Sequence, residues 1–191
     1  SVDETPFPGE DARNYVVRMS QAKAAAVAPF AVAGLVVVAA DTIVVNCGKI
    51  LGKPENPDNA RTMLQQLRGH DHQVLTAISA YQPAKGLREN DLCVSSVPMR
   101  AFTDHEMEEY INSGDPLDKA GAYAIQHVGF HPVHQFSGCF ASVMGLPLCH
   151  LTRTLKKMNV PSEVDVPAEC QKNLGYQCPI FKQVLAGQDN G

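Results

Sequence analysis

Residues 34–46 read GLVVVAADTIVVN, and this stretch decides the fold class. Its opening LVVV is apolar and mostly β-branched, which is typical of a strand buried on both faces of a sheet. The pattern stops at AADT and resumes at IVV, so we expect two buried strand halves that flank one acid, Asp41. A buried carboxylate is costly unless it is paired or lies at a strand end. Asp41 is therefore either a structural residue at a bulge or turn, or a base or metal ligand at the mouth of the sheet.

The segments around this stretch alternate between helix and strand patterns. Helix signals include N-cap residues, a capping box formed by Thr103 and Glu106, and a terminating glycine at Gly69. Residues 120–135 read as a glycine-rich loop followed by a strand. Other predicted strands cover residues 72–81, 91–102 and 139–148, and predicted helices begin at Asp11, Pro57, Thr103 and Pro147. The alternation predicts an α/β protein with a mixed sheet.

Composition excludes several classes of function. The chain has 191 residues, 45% of them hydrophobic and 19% charged, with a net charge of −4. This acidic balance argues against a general nucleic-acid binder, and the absence of Trp argues against a base-stacking platform. No apolar run reaches the roughly 18–20 residues that span a bilayer, and no signal peptide is visible. We expect a cytoplasmic protein with no membrane partner.

The chain contains six cysteines, none of them in a CxxC pair, which disfavours a zinc ribbon or a thioredoxin-like site. We expect mostly reduced thiols. Cys170 and Cys178 are the only close pair, and a disulfide or a metal role there is the less favoured interpretation. Cys139 has no obvious base at a fixed spacing, so we interpret it as a buried thiol rather than a nucleophile.

Two further segments carry charged side chains at turns. Lys53 lies between a glycine and a proline, whose restrained backbone suits a lysine aimed at a phosphate or a carboxylate. Taken alone, an ordinary exposed turn lysine is the favoured interpretation. Residues 115–123 read DPLDKAGAY and place two acids, a lysine and a glycine just after a helix. This second cluster is equally typical of a solvated loop with helix caps.

Together these segments resemble the Maf family of nucleoside triphosphate pyrophosphatases. The similarity rests on ADTIV at 40–44, LGKP at 51–54, DPLDKAGAYAIQ at 115–126 and VMGLPL at 143–148. Four ordered motifs are far more specific than any one of them. The resemblance covers residues 1–158, and the segment 159–191 forms a C-terminal tail outside it. The form of the third motif is similar to the dTTP/UTP branch of the family.

The resemblance implies a fold and an activity. The fold is that of the inosine triphosphatase-like group, with a long curved mixed sheet, flanking helices and a cleft between two lobes. The activity is hydrolysis of dTTP or UTP between the α and β phosphates, which releases the monophosphate and pyrophosphate. The resemblance also implies a divalent metal cofactor, Mg²⁺ or Mn²⁺, and a homodimer.

The resemblance further assigns roles to particular residues. Asp41 corresponds to the proton acceptor that activates water, and Glu4 and Asp41 face the metal. Lys23 and Lys53 correspond to positions that contact phosphates. Thr42 and Gln126 correspond to positions that help to select the base. These roles suit the chemistry, because the charge of a triphosphate must be offset where its bond breaks.

One departure from the family pattern opens an alternative. The family normally begins with a strand and a Ser-rich loop that ends in Pro-Arg-Arg, and this sequence lacks both. We therefore expect an N-terminally truncated member, whose later motifs are intact. The alternative is a catalytically impaired nucleotide-binding or regulatory module that lacks the phosphate-binding arginines.

Overall fold

The computed structural model describes residues 2–32 and 34–188. Its sheet has four strands in the order β2-β1-β3-β4. The strands are β1 (Val37–Asn46), β2 (Lys49–Leu51), β3 (Asp71–Gln82) and β4 (Leu87–Pro98). The helices are α1 (Ala12–Val27), α2 (Pro57–Leu67), α3 (Asp104–Asn112), α4 (Phe140–Val143), α5 (Leu148–Lys157), α6 (Val166–Leu174) and α7 (Phe181–Leu185). The predicted α/β class is confirmed.

The pleat of β1 separates two hydrophobic cores. Ile43 and Val45 point to the face that α1 covers, where they pack with Val16 and Met19. Val44 points to the opposite face and joins the larger core, to which α2 and α3 contribute. Side chains alternate across a strand with a period of two, so one strand serves both cores.

Three details of the sheet differ from the sequence-based expectations. Strand β1 runs through Asp41 without a break, because the carboxylate has a charged partner described below. All pairings between the described strands are antiparallel, whereas a mixed sheet was expected. Between residues 120 and 135 the expected strand is reduced to one bridge, from Val133 to Met99, after a 3₁₀ turn at Ala120–Ala122.

The expected strand at 139–148 is wrong. Residues Phe140–Val143 form the short helix α4, and a turn at Gly145 with φ of +113° leads into α5. A short apolar run bounded by glycines has no periodicity that separates a strand from a buried helical turn. The expected helix from Pro147 to Met158 is confirmed as α5.

The C-terminal segment packs against α5. Helices α6 and α7 both contact it, and Val184 of α7 is buried. The short helix α7 is thus part of the folded body. The boundary between a domain at 1–158 and a tail at 159–191 stays a prediction. Among the described residues, no helix is long and apolar enough to cross a membrane.

The outer edge of β1 is only partly covered. β2 pairs with Val44 to Asn46 alone. Within 2–32 and 34–188, no strand pairs with β1 on that side between Val37 and Ile43. The backbone groups of this stretch form an open sheet edge beside Asp41 and Thr42.

Candidate active site

Asp41 lies in a charged cluster between β1 and α1. Its carboxylate Oδ1 is 2.5 Å from Nζ of Lys23, which projects from α1 toward the sheet. The same ammonium is 3.0 Å from Oε1 of Glu4. The hydroxyl of Tyr15 donates to the backbone carbonyl of Glu4 at 2.8 Å and ties the N-terminal segment to α1. Three of the predicted site residues thus meet on one face of the sheet.

The fold places Lys23 there through the cap and the period of α1. Asp11 accepts hydrogen bonds from two backbone amides of the first turn, which fixes where the helix begins. Val16 and Met19 then bury their side chains against the sheet. Lys23 is four residues beyond Met19 and therefore lies on the same helical face, one turn further along.

Asp41 and Lys23 each shift the pKa of the other. Burial, the largest influence, raises the pKa of Asp41, while the hydrogen bond from Lys23 lowers it, and the net direction is upward. Burial lowers the pKa of Lys23, but the hydrogen bonds to Asp41 and Glu4 raise it overall. A carboxylate with a raised pKa is a stronger base than an exposed one, which suits proton abstraction from water.

Thr42 points to the opposite face and begins a chain of hydroxyl groups. Its Oγ1 is 2.9 Å from Oγ1 of Thr76, its cross-strand partner on β3. The hydroxyl of Thr76 donates to the backbone carbonyl of Ser142 at 2.8 Å. A threonine hydroxyl has one proton, so Thr42 must be the donor to Thr76. The lone pairs of Thr42 Oγ1 are therefore available to accept a hydrogen bond from a ligand.

Thr42 lines a cleft with a volume of about 240 Å³. Lys53 and Gln126 line the same cleft, so the structure brings these three predicted residues together. Lys119 and Asp118 also line it, and they form an ion pair with each other. A single cleft with two lysines and an amide offers cationic groups for phosphates beside a donor and acceptor for a base.

A close backbone approach positions the wall of the cleft. The amide of Gly121 donates to the carbonyl of Gly52 at 3.0 Å, which joins the Lys119 loop to the Lys53 loop. Gly121 has a φ of +67°, and a Cβ there would lie 2.9 Å from a methyl group of Val44. Only glycine fits both the left-handed conformation and the contact with β1.

The six predicted residues form two groups rather than one. Asp41 and Thr42 are adjacent in a strand, so their side chains leave opposite faces of the sheet. The charge of Lys53 contributes a small downward influence on the pKa of Asp41, after burial and the larger effect of Lys23. Both groups border the stretch of β1 that β2 does not pair with, and no described strand covers its outer edge there.

The donor set on the Asp41 side fits a hard divalent cation. Two carboxylates, of Asp41 and Glu4, flank the same position, which the ammonium of Lys23 occupies. Mg²⁺ and Mn²⁺ prefer carboxylate oxygens, and Mg²⁺ commonly uses one or two of them together with waters and substrate phosphates. The residues present therefore fit the expected cofactor.

Sequence reasoning assigned no role to Tyr15 or Thr76. Tyr15 looked like an ordinary apolar position of α1, and its hydroxyl contact with the Glu4 carbonyl has no sequence signal. Thr76 had one weak signal, because it is a polar residue between Leu75 and Ala77 in an apolar strand. A buried hydroxyl in such a strand indicates a hydrogen-bond partner on a neighbouring element.

Comparison with known proteins agrees with these motifs. A family model described as Maf-like protein matches residues 1–158. The chain belongs to the Maf family. Maf proteins named dTTP/UTP pyrophosphatase are among its similar relatives. That of Anaeromyxobacter dehalogenans (strain 2CP-1) is 41% identical over 161 residues, which cover 83% of this chain and 80% of the relative.

Two further Maf relatives bear the same name. The dTTP/UTP pyrophosphatase of Syntrophus aciditrophicus is 40% identical over 157 residues, 82% of this chain and 76% of the relative. That of Escherichia coli is 40% identical over 162 residues, 85% of this chain and 81% of the relative. The range that the family model matches, residues 1–158, contains both groups of site residues.

Proposed function

We propose that this Maf chain hydrolyses dTTP and UTP to the nucleoside monophosphate and pyrophosphate. The observation that carries the proposal is the largely buried Asp41 carboxylate held by Lys23, with the adjacent Thr42 lining a cleft together with Lys53 and Gln126. The shared name of the relatives supports the two substrates. The same shared name counts against the catalytically impaired alternative.

In the proposed reaction, Asp41 accepts a proton from a water that attacks the α-phosphorus. A new bond forms between that oxygen and phosphorus, the bond to the bridging oxygen breaks, and pyrophosphate leaves with the bond electrons. Asp41 suits this role because burial raises its pKa. Lys23 would then exchange its contact with Asp41 for one with a phosphate oxygen, which leaves the carboxylate accessible.

The cleft residues would hold the two ends of the nucleotide. Lys53 lies on an exposed turn at the cleft and offsets phosphate charge. Thr42 accepts a hydrogen bond through its open lone pairs. The amide of Gln126 can donate to one carbonyl of a pyrimidine and accept from its N3–H, a pattern that uracil and thymine share.

The proposal includes a divalent cation, Mg²⁺ or Mn²⁺. Glu4 and Asp41 are the residues that would hold it, as their shared contact with one ammonium indicates. When bound, it supplies electrostatic neutralisation of the triphosphate and of the leaving pyrophosphate. The protein residues orient the substrate and move the proton.

We also propose a homodimer in the cytoplasm. Exposed apolar side chains lie just before and within the uncovered part of β1, namely Phe30, Leu35 and Val38. Exposed apolar side chains beside an unpaired sheet edge support an interface with a second copy of the chain. Light scattering coupled to size exclusion would give twice the chain mass if the proposal is correct.

The test is pyrophosphate release from dTTP, UTP, CTP and GTP with Mg²⁺ or Mn²⁺. The wild-type chain should prefer dTTP and UTP. Asp41→Asn keeps the shape of the side chain and should lower kcat by about two or more orders of magnitude, the scale of a lost general base. Asp71→Asn, which changes an exposed carboxylate at the start of β3, should retain full activity.

Either of two results would contradict the proposal. The first is unchanged turnover in Asp41→Asn with an unchanged circular dichroism spectrum. The second is the absence of pyrophosphate release from every nucleotide by folded wild-type protein, which would restore the impaired alternative.

A further inference from the structure

A second cluster of reactive side chains lies apart from the charged site. Cys93 on β4, Cys139 at the start of α4 and His150 on α5 each offer one ligand atom, and these atoms all lie within 4.8 Å of one another. All three residues are buried, and His150 has no exposed surface. Three sequence-distant elements thus converge on one point inside the fold.

Within residues 2–32 and 34–188, the buried ring of His150 has no hydrogen-bond partner that compensates its loss of water contact. Among the described residues, neither ring nitrogen of His150 has a partner with hydrogen-bond geometry, although the Cys93 thiol lies beside the ring. The hydroxyl oxygen of Ser142, on α4, is also buried and unpartnered. Buried polar groups are nearly always paired, and an ion is one explanation for an exception.

We propose that Cys93, Cys139 and His150 bind one Zn²⁺ ion. Two thiolates and an imidazole are soft and borderline ligands, which select zinc over the magnesium and calcium that prefer oxygen. Binding breaks two S–H bonds and releases two protons, and two Zn–S bonds form. The resulting group has no net charge, which suits a buried site.

A fourth ligand could come from a water beside Cys139 or from Ser142. A cavity of about 20 Å³ borders Cys139, which is room for about one water molecule. Ser142 offers its unpartnered hydroxyl as the alternative oxygen. Tetrahedral zinc with three protein ligands and one oxygen is a common arrangement.

The position of the ion gives it a structural consequence. Cys93 is the cross-strand partner of Thr76, so it lies in the same row of the sheet as the hydroxyl chain. Through Cys93 and Cys139, a zinc ion would link β4 to α4. The Ser142 carbonyl of α4 accepts a hydrogen bond from the Thr76 hydroxyl. We therefore expect zinc to raise the melting temperature of the chain.

The test uses Co²⁺, which replaces Zn²⁺ and reports its ligands by absorption. The full chain is stripped of metal under a phosphine reductant and titrated with Co²⁺. One equivalent should produce thiolate-to-cobalt charge-transfer bands and the visible bands of tetrahedral cobalt, and one equivalent of Zn²⁺ should remove them. Cys93→Ser, Cys139→Ser and His150→Gln should each weaken binding by about 100-fold or more.

Two matched variants separate this site from the other thiols. Cys47→Ser changes the exposed cysteine, and Cys178→Ser changes a half-buried cysteine that borders the same cavity. Both should retain the bands and the affinity of the wild-type chain. Circular dichroism of each variant checks that it is folded, and the wild-type spectrum decides the question if a ligand variant does not fold.

Three outcomes would overturn the proposal. One is the absence of charge-transfer bands in the reduced wild-type chain. Another is retention of the bands in the double variant that carries both Cys93→Ser and Cys139→Ser. The third is loss of the bands in Cys178→Ser but in none of the three ligand variants. Pyrophosphatase activity has no part in these readouts, so the test is independent of the proposed reaction.

Discussion

Replacing Lys23 with methionine tests whether Asp41 is the base and whether Lys23 sets its ionisation. Methionine keeps the length of the side chain and removes the charge that lies 2.5 Å from the Asp41 carboxylate. The lost charge-assisted hydrogen bond is worth about 1.5–3 kcal/mol to the ionised carboxylate. Because the Lys23 side chain is 33% exposed, water screens the pair and the lower end of that range applies.

This energy translates into a shift of the pH profile. One pKa unit corresponds to about 1.4 kcal/mol, so the pKa of Asp41 should rise by about one unit in Lys23→Met. The direction is upward because an absent cation favours the protonated carboxyl, and the remaining Glu4 charge acts in the same direction. The acid limb of kcat/KM, which reports ionisation in the free enzyme, should move to higher pH by the same amount.

The assay is pyrophosphate release from UTP, with kcat/KM measured across pH. Lys53→Met is the matched control, because it also removes a cleft lysine but has only a minor influence on the pKa of Asp41. It should lower kcat/KM while its acid limb stays near that of the wild type. An unmoved limb in Lys23→Met, or an equal shift in both variants, would refute the reasoning.

Three further predictions concern stability and substrate binding. Gly121→Ala should lower the melting temperature more than Gly86→Ala, because both have positive φ but only the former places a Cβ 2.9 Å from another side chain; equal losses would exclude the contact as the cause. Thr76→Val should raise KM for UTP and lower the free energy of unfolding in urea by about 1–3 kcal/mol, because the Thr42 hydroxyl and the Ser142 carbonyl lose their hydrogen bonds. The acid limb of its kcat/KM profile should not move. Arg153→Met should cost about 3–5 kcal/mol, because it leaves the buried Asp91 without its cation. Burial raises the pKa of Asp91, but the hydrogen bond and charge of Arg153 lower it to a net value below the usual 3.8. The stabilisation that Arg153→Met removes is therefore fully present above pH 3.8 and disappears as the pH falls through the pKa of Asp91 in the folded protein. Urea midpoints at several pH values check this, and an equal loss of stability at every pH would contradict it.

Local signals in the sequence predicted most of the helices. The Asp11 cap, the Thr103 capping box and the positive φ at Gly69 are all present. Such features depend on residues within one turn of each other, so no tertiary information is needed. The strand predicted at 139–148 is wrong because the conformation of this apolar run depends on the packing of α4 against β3, β4 and α6 rather than on periodicity.

The arrangement of the site depended on a contact that sequence spacing does not encode. The prediction that the strand breaks at Asp41 treated the acid as unpaired, whereas Lys23 compensates it from a helix 18 residues away in sequence. Had β1 been predicted as continuous, its period of two would have placed Asp41 and Thr42 on opposite faces. The motifs located the residues, and the helix packing determined which of them meet.

The opposite orientation of Asp41 and Thr42 has a consequence for how such an enzyme is redesigned. The carboxylate depends on the packing of α1, whereas the cleft depends on the loops near Gly121 and Gly145. If Asp41 is the proton acceptor and the cleft holds the base, as proposed, substitutions in those loops should alter which nucleobase is accepted without disturbing the proton acceptor. Selectivity and reactivity would then be separable traits in this scaffold, and a library restricted to the loop side should yield altered preference at conserved turnover.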